Sequence, residues 1–328
     1  MDRQQYFDSL LSLQSDKDFE NLALKVFRFQ SQNNNVYSGF IKSLGITPEK
    51  IKSIAEIPFL PVEIFKSHIV LTGGDEHEFV FTSSGTTGDQ PSRHYIKDIS
   101  FYQRVFTKIF SSFYGKPSEY TILALLPSYL ERKDSSLIYM MNKLISESSS
   151  DSGFYLADHE KLFTILKDLQ RQKRKTILFG VTYALLDFIN DFHIDFPDLI
   201  VIETGGMKGK RKEMIREEVH QLLCTGFGVD VIHSEYGMTE LLSQAYSIGK
   251  GIFKSPSWMR ILIRDPYDPL KPLVLRNSGG INIIDLANID SCSFLSTQDL
   301  GKVYEDNSFE VIGRFDFSDV RGCNQMVD

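Results

Sequence analysis

The spacing of apolar residues divides the chain into three stretches. Over the first 75 residues or so, apolar side chains recur every three or four positions, as between Phe19 and Phe29, which predicts amphipathic helices. Further along, short apolar runs alternate with helical patterns, and after Trp258 brief β-type stretches follow one another. We therefore predict a helical segment packed on the main body (1–75), an α/β core (76–257), and a β-rich part with a C-terminal tail (258–328).

The middle stretch has the pattern of an open parallel sheet. Its predicted buried strands are Phe79–Phe81, Tyr120–Leu126, Ile177–Phe179, Leu199–Ile202 and Val229–Ile232. Asp134 is predicted to cap one intervening helix, and Ile215, Val219, Leu222 and Leu223 would form the apolar face of another. Strands separated by helices of this length form βαβ units, so we predict an α/β fold with a largely parallel sheet.

The last stretch has a different texture. Short β-type segments are separated by Pro, Gly and Asn turns; they are 261–263, 273–275, 281–284 and 309–312. This alternation of strands and turns predicts an antiparallel sheet or a barrel-like part.

Composition narrows the possible functions. The 328 residues are 42% hydrophobic, enough for one large core or two joined cores. The net charge of -7 argues against nucleic-acid binding, which needs a basic face. The first residues lack the apolar region of a signal peptide, and apolar runs stay short of a transmembrane helix. We expect no membrane insertion and a cytoplasmic location, with Cys224, Cys292 and Cys323 reduced.

A run of small and hydroxyl-bearing residues follows the first predicted strand of the core. It consists of Ser83, Ser84, Gly85, Thr86, Thr87 and Gly88. Glycine lets a backbone turn tightly and approach a ligand closely, and the hydroxyl and N–H groups can then face phosphate oxygens. The loop is not a Walker A motif, because no Gly-Lys-Ser/Thr closes it. The alternative is an ordinary Ser/Thr/Gly surface turn.

Other clusters also carry possible chemistry. The stretch Tyr236–Glu240 follows a predicted strand. Its aromatic ring can stack on a base, the Thr239 hydroxyl can contact a phosphate, and the Glu240 carboxylate can bind Mg²⁺. The alternative is a strand-to-helix turn in which Thr239 or Glu240 is a cap residue. Asp299, beside Gly301, can bind ribose hydroxyls or be a β-turn residue. Arg314 can bind phosphate or ribose.

Cys323 is a candidate nucleophile near the end of the sequence. Arg321 lies two residues before it, and a nearby cation lowers the pKa of a thiol and increases the thiolate fraction. The alternative is an inert thiol. Cys224 and Cys292 have the apolar surroundings of structural cysteines.

The order of these motifs resembles that of adenylate-forming enzymes. The chain also resembles acyl-protein synthetases, the fatty-acid-activating subunits of bacterial bioluminescence reductase complexes. The stretches that carry this second resemblance are Ile57–Pro61, Leu126–Ser128 through Asp134–Leu137, Glu203–Gly206 and Asp319–Cys323. The resemblance implies the N-terminal domain of the adenylate-forming fold without the small mobile C-terminal domain. It also implies an AMP-forming reaction with ATP and Mg²⁺, in which a carboxylic acid becomes an acyl-adenylate and then a thioester.

The resemblance also implies roles for single residues. The six residues 83–88 would hold the β- and γ-phosphates, and Tyr236 would stack on adenine, with Gly205, Gly206 and Gly237 lining the nucleotide pocket. Thr239 would contact the α-phosphate, Glu240 would bind Mg²⁺, and Asp299 with Arg314 would bind ribose. Cys323 would accept the acyl group and pass it to a reductase or carrier protein.

The chain departs from the pattern of adenylate-forming enzymes at one position. Ser92 follows Pro91 where these enzymes usually have a lysine, and Arg93 or Lys97 would have to replace that charge. Two other functions remain open: an aryl- or acyl-CoA ligase of the phenylacetate type, and a non-catalytic nucleotide-binding subunit.

Overall fold

The structure is a computed structural model that describes residues 3–84, 90–127, 131–156, 158–205, 214–265 and 278–315. Within these ranges the α-helices are α1 Arg3–Leu11, α2 Asp16–Asn33, α3 Asn35–Ser43, α4 Ile64–Ser67, α5 Ile99–Tyr114, α6 Ser136–Ser146, α7 His159–Arg171, α8 Thr182–Asp191 and α9 Arg216–Phe227. Short 3-10 turns cover Pro48–Lys50, Ile54–Glu56 and Pro117–Glu119.

The strands begin with β1 Leu60–Pro61 and the hairpin strands β2 Phe79–Thr82 and β3 Arg93–Ile96. The core strands are β4 Thr121–Leu125, β5 Gly153–Phe154, β6 Thr176–Val181, β7 Ile200–Thr204, β8 His233–Tyr236 and β9 Ala245–Ser247. The β-rich part contains β10 Met259–Arg264, β11 Ser278–Asp285, β12 Phe294–Val303 and β13 Phe309–Arg314.

The core is a six-stranded sheet in the order β5-β4-β6-β7-β8-β9. Strands β5 to β8 pair in parallel, and β9 pairs antiparallel to β8. The strands β4, β6 and β7 are almost entirely buried, as expected of a parallel sheet covered by helices on both faces. Since these parallel strands run in one direction, their carboxyl ends lie at one edge of the sheet. The predicted α/β fold with a largely parallel sheet is confirmed.

Two local predictions in the core are wrong. The strand predicted at 229–232 lies at His233–Tyr236, because Gly228 ends α9 in a left-handed conformation and the Val229 N–H bonds back to Cys224. Ser135, not Asp134, caps α6.

The predicted apolar face of α9 is also only partly correct. Val219 and Leu223 are buried, whereas Ile215 and Leu222 are exposed. Ile215 directly precedes α9, and Leu222 lies on its exposed side.

The β-rich part is an open sheet over the residues described, not a barrel. Its long strand β12 pairs with β11 on one side and with both β1 and β13 on the other, and β10 completes the sheet beyond β11. The pairing register shifts between Gly280 and Asn282 and again between Leu300 and Gly301. Such bulges bend and twist strands, and here the two edges of the sheet do not meet. The strand predicted at 273–275 lies outside the described residues.

The N-terminal helices are fixed to the β-rich part by a buried amide. The side chain of Gln30 in α2 donates to the carbonyl groups of Asn288, Ile289 and Ser291 at 3.0–3.2 Å, and it accepts from the Ser293 N–H at 2.9 Å. A buried amide that satisfies so many main-chain groups fixes how α2 packs on this loop. None of the helices described is both long enough and apolar enough to cross a bilayer.

Candidate active site

A cleft of about 520 Å³ lies between the carboxyl ends of the parallel strands and the β-rich sheet. Ligands bind at this edge in open α/β folds. The sequence-predicted residues that line the cleft are Ser83, Ser84, Gly205, Gly237, Thr239, Glu240 and Arg314. Of the other predicted site residues, Gly85, Thr86, Thr87, Gly88, Gly206 and Cys323 lie outside the described residues.

The β2–β3 hairpin brings Ser83 and Ser84, the first residues of the hydroxyl-bearing run, to this cleft. Ser83 and Ser92 close the base of the loop: the Ser83 N–H donates to the Ser92 carbonyl at 3.1 Å, and the Ser92 N–H donates to Ser83 Oγ at 2.9 Å. Ser84 follows directly and also lines the cleft. The loop therefore starts from a paired base rather than from a free surface turn.

The turn that carries Thr239 and Glu240 is held from two directions. The ring of His94 on β3 donates from Nδ1 to the Thr239 carbonyl at 2.7 Å, and the Asn288 amide donates to the Glu240 carbonyl at 2.8 Å. Burial lowers the pKa of His94 to about 4, so the ring is neutral and Nδ1 carries its proton. The turn is thus fixed by hydrogen bonds from both the hairpin and the β-rich part.

Asp285, a fully buried residue at the end of β11, holds the residues that follow this turn. Its carboxylate accepts from the N–H groups of Leu242 and Ser243 at 3.0 and 2.9 Å and from the Ser243 hydroxyl at 2.7 Å. These donors satisfy a carboxylate that would be costly to bury alone. Asp285 is therefore structural, and it ties the turn to the open sheet.

Tyr236, Asp299 and Arg314 form one hydrogen-bonded group. The Tyr236 hydroxyl donates to Asp299 Oδ2 at 2.7 Å, and Arg314 Nε donates to Asp299 Oδ1 at 3.1 Å. Asp299 and Arg314 are direct partners in the β12–β13 register, while Tyr236 arrives from the end of β8. Burial and the adjacent Asp299 carboxylate raise the pKa of Tyr236, so its hydroxyl remains a donor.

The aromatic ring of Tyr236 is already packed on one side. It makes edge contacts with Phe253 and Phe309, with ring centroids 6.0 and 5.7 Å away. These contacts fix the plane of the half-buried ring. The role of Tyr236 in stacking on adenine remains a prediction.

A buried carboxyl group lies deeper in the cleft, on Glu235. It accepts a hydrogen bond from the Thr204 hydroxyl, and burial raises its pKa to about 7. A Cβ atom on Gly237 would lie 2.4 Å from Glu235 Oε1, so glycine leaves the space in which this side chain lies. The sequence gives a signal for this pair, because positions 235 and 237 share one face of an extended chain.

The adjacent strand carries a second carboxylate in a different environment. Glu203 accepts from the Thr182 hydroxyl at 2.7 Å and lies 3.7 Å from His220 Nε2. Burial opposes its ionisation, yet hydrogen bonds from His220, Thr182 and Ser234 outweigh burial and lower its pKa. Neighbouring strands thus carry two carboxyl groups with opposite pKa shifts, and Glu235 is the one of the two that lines the cleft.

Part of the cleft is apolar. Leu126 follows β4, Ile138 and Met140 come from α6, and Val181 ends β6. All four line the cleft, and each is almost fully buried. Such a surface suits an aliphatic group.

The structure assigns different positions to the two proposed substitutes for the usual lysine. Arg93 is exposed on β3, and Lys97 Nζ donates to the Gly73 carbonyl at 2.8 Å. Neither residue lines the cleft. Ser92, which stands where the lysine is usual, instead donates its hydroxyl to the Glu240 carboxylate.

Sequence reasoning missed the residues that hold the Thr239–Glu240 turn. It assigned no role to His94 and did not single out Asp285 or Asn288. Asp285 and Asn288 are polar residues that follow an apolar strand at its end, which is a usable signal. The contact from His94 spans 145 residues of sequence and has no local signal.

The family model for acyl-protein synthetase, LuxE, matches residues 9–328. The chain belongs to this family. As a member of a synthetase family, the protein is a ligase, and the predicted resemblance is confirmed. The long-chain-fatty-acid–luciferin-component ligase of Vibrio harveyi is 27% identical over 343 residues, covering 95% of this chain and 88% of that protein.

Solved structures support the fold. A 2-hydroxyisobutyryl-CoA ligase, solved with 2-HIB-AMP and CoA, superposes with a TM-score of 0.65 over 92% of this chain and 68% of its own, at 13% identity. ATP-bound MatB from Rhodopseudomonas palustris superposes with a TM-score of 0.53 over 72% of this chain, at 16% identity. The match spans 47% of the MatB chain, about half its length. The fold is that of the N-terminal part of such enzymes.

The residues present are compatible with an Mg²⁺ ion that arrives with phosphate. Glu240 is buried beside the cleft and accepts hydrogen bonds from the neutral Ser92 hydroxyl and a main-chain N–H; burial raises its pKa even though Arg314 acts in the opposite direction. A cation would relieve that cost. No cluster of three or more His, Cys, Asp or Glu that could hold a metal occurs among the residues described. Mg²⁺ is commonly held by one or two carboxylates together with substrate phosphates, which matches a lone Glu240.

Proposed function

We propose that this chain activates a carboxylic acid with ATP and Mg²⁺ and then transfers the acyl group to its own Cys323 as a thioester. The observation that carries the proposal is the convergence at one cleft of Ser83 and Ser84, of Thr239 and Glu240, and of Arg314 with Asp299 behind it. These groups come from three separate parts of the fold. They supply donors for phosphate, a carboxylate for a cation and a carboxylate for ribose.

In the first half-reaction, a carboxylate oxygen of the acid attacks the α-phosphorus of ATP. The bond from that phosphorus to the bridging oxygen breaks, and pyrophosphate leaves with its electrons. Bound Mg²⁺ would neutralise part of the phosphate charge that opposes this approach. Thr239, held in place through His94, would donate its hydroxyl to the α-phosphate as negative charge increases there.

In the second half-reaction, the Cys323 thiolate attacks the carbonyl carbon of the acyl-adenylate. The carbon–oxygen bond to AMP breaks, and AMP leaves as the thioester forms. Arg321, two residues away in sequence, favours the thiolate. The thioester would then pass to an acyl-accepting reductase or carrier protein.

We further propose that the acid is an aliphatic fatty acid. The inner surface of the cleft formed by Leu126, Ile138, Met140 and Val181 supports an apolar chain. The name of the Vibrio harveyi relative, a ligase for a long-chain fatty acid, points the same way.

Labelling the protein tests the proposal. The full chain is incubated with ATP, Mg²⁺ and radiolabelled fatty acids of several lengths, and we expect hydroxylamine-labile label on the protein. Cys323→Ser should lose the label but keep acid-dependent ATP–pyrophosphate exchange, and Cys224→Ser serves as the matched control. Acyl-CoA formation without protein label would favour a CoA ligase. ATP binding without exchange for any acid would favour a non-catalytic subunit.

A further inference from the structure

The cleft needs positive charge to hold a triphosphate, and its cations come from different sides. Within the described chain, the lysine and arginine residues that line the cleft are Lys66, Arg132 and Arg314. Arg314 belongs to β13 and donates to Asp299. Lys66 lies in α4, just after the segment in which the Val62 N–H bonds to Ser296 of β12. Both therefore approach from the β-rich side, and Arg132 approaches from the core side.

Arg132 is oriented by an acidic neighbour, Asp134. Its Nε donates to Asp134 Oδ1 at 3.2 Å, and 35% of its side chain is exposed. The terminal nitrogens of a guanidinium carry four further N–H donors in a planar fork that matches phosphate oxygens. A contact through Nε thus orients the fork while leaving its geometry suited to an anion.

Asp134 in turn is anchored to the base of the hydroxyl-bearing loop. The Thr82 N–H donates to the Asp134 carbonyl at 2.8 Å, and the Thr82 hydroxyl donates to its carboxylate. Thr82 ends β2 and directly precedes Ser83. Partial burial opposes ionisation of Asp134, but the hydrogen bonds from Thr82 and Arg132 outweigh it and lower the pKa. The carboxylate therefore stays charged and keeps its hold on Arg132.

We propose that Arg132 binds the terminal phosphates of the nucleotide, and the pyrophosphate they become, and that Asp134 positions it. The inference rests on the proposed function: adenylate-forming enzymes usually have a lysine where this chain has Ser92, and Arg132 would supply the positive charge of that lysine. Terminal phosphates are favoured over the α-phosphate because Arg132 is linked through Asp134 and Thr82 to the loop base at Ser83. Thr239, the residue predicted for the α-phosphate, lies on a separate turn.

Binding measurements on the full chain test this inference. Calorimetric titration with ATP, inorganic pyrophosphate and AMP is performed on wild type, Arg132→Gln and Arg132→Lys. We expect Arg132→Gln to weaken binding of ATP and pyrophosphate about tenfold or more, since a charge-assisted bidentate contact is lost, with AMP affinity unchanged. Arg132→Lys should recover part of the loss. Arg93→Gln, at an exposed position on the β2–β3 hairpin outside the cleft, is the matched control.

Two results would overturn the inference. Unchanged affinity of Arg132→Gln for ATP and pyrophosphate would show that Arg132 does not contact the terminal phosphates. An equal loss of affinity for AMP would show that the substitution disturbs the whole cleft. Asp134→Asn should weaken ATP binding less than Arg132→Gln does, again with AMP unchanged; unaltered ATP binding would disprove the positioning role.

The outcome is separable from that of the proposed function. If wild type binds ATP but exchanges pyrophosphate with no acid, adenylation fails as a function. The comparison of ATP with AMP still decides whether Arg132 binds terminal phosphates.

Discussion

The buried carboxyl groups on the two walls of the cleft accept hydrogen bonds from different kinds of donor. On the β-rich wall, formed by β12 and β13, Asp299 accepts from the Tyr236 hydroxyl and from the Arg314 guanidinium. On the core wall, formed by the six-stranded sheet and the β2–β3 hairpin, Glu235 accepts from the Thr204 hydroxyl, and Glu240 accepts from the Ser92 hydroxyl and a main-chain N–H. The charge of Arg314 also acts on Glu240, but burial outweighs it. Burial raises the pKa of both glutamates.

This difference indicates which groups need a ligand to balance them. A carboxylate paired with an arginine is stable before any ligand arrives and can accept neutral ribose hydroxyls. A buried carboxyl group whose hydrogen bonds come from neutral donors favours either a proton or an incoming cation. The core wall is therefore the wall on which cation binding and pH should have the larger effects.

Glu240→Gln should have the largest effect. If Glu240 helps hold Mg²⁺ at the reacting phosphates, loss of its charge should lower kcat for ATP–pyrophosphate exchange by about 10²- to 10³-fold. The KM for ATP should change much less. Exposed Glu305→Gln is the control, and thermal unfolding checks that the fold is intact. Exchange at the wild-type rate would contradict the metal assignment.

Asp299→Asn should act on binding rather than on turnover. A ribose contact made equally in the ground and transition states changes KM more than kcat. Loss of charge-assisted hydrogen bonds costs about 1.5–3 kcal/mol, so KM for ATP should rise about tenfold or more. Kinetics with ATP and 2′-deoxy-ATP measure this. Wild type should prefer ATP, the variant should lose that preference, and a retained preference would place the ribose elsewhere.

Glu235→Gln should change the pH dependence of stability. The ordinary pKa of 4.5 is raised to about 7 in the folded protein, so the folded state holds this proton more tightly than the unfolded state. The stability contributed by protonated Glu235 is complete below about pH 4.5 and is lost as pH rises toward and past 7. At pH 8 the free energy of unfolding of Glu235→Gln should exceed that of wild type by up to about 3 kcal/mol.

Urea unfolding at pH 5 and pH 8 checks this prediction. The quantity of interest is the difference between wild type and Glu235→Gln at each pH, because other titrating groups then cancel. Exposed Glu305→Gln serves as the control variant at both pH values. The same difference at both pH values for Glu235→Gln would show that Glu235 does not titrate in this range.

Tyr236→Phe should have the smallest effect. It removes the hydroxyl that donates to Asp299 but keeps the ring and the arginine contact, so ATP binding should weaken about 3- to 10-fold. Tyr304→Phe, which removes a hydroxyl–carboxylate contact with Glu310 elsewhere on the β-rich part, is the matched control. A loss as large as that of Asp299→Asn would show that the arginine contributes little.

The sequence predicted the core strands well because burial dominates them. The strand predicted at Ile177–Phe179 lies within β6, and the one at Leu199–Ile202 overlaps β7. A fully buried parallel strand is an uninterrupted apolar run and is easily seen. The strand predicted at Val229–Ile232 failed because burial alone does not fix pairing: both of its end residues are buried, yet pairing with β7 starts at His233.

The candidate site was predictable to the extent that its motifs are local. Ser83, Ser84, Thr239, Glu240 and Arg314 all line the cleft, as their order in the sequence suggested. The supporting residues were not predictable in this way, since His94, Asn288 and Asp285 act on a turn that lies 42 to 145 residues away in sequence. No local pattern records such contacts.

The sequence by itself determined the residue types at the cleft and the class of fold, because short motifs and apolar periodicity depend on neighbours along the chain. The tertiary structure alone decided how those residues are partnered: Asp299 with an arginine, Glu235 and Glu240 with hydroxyls, and Arg132 beside the hydroxyl-bearing loop. Partnership depends on which strands and turns meet in space. These tertiary contacts, rather than the sequence motif, set the charge that each group carries and the ligand that it can bind.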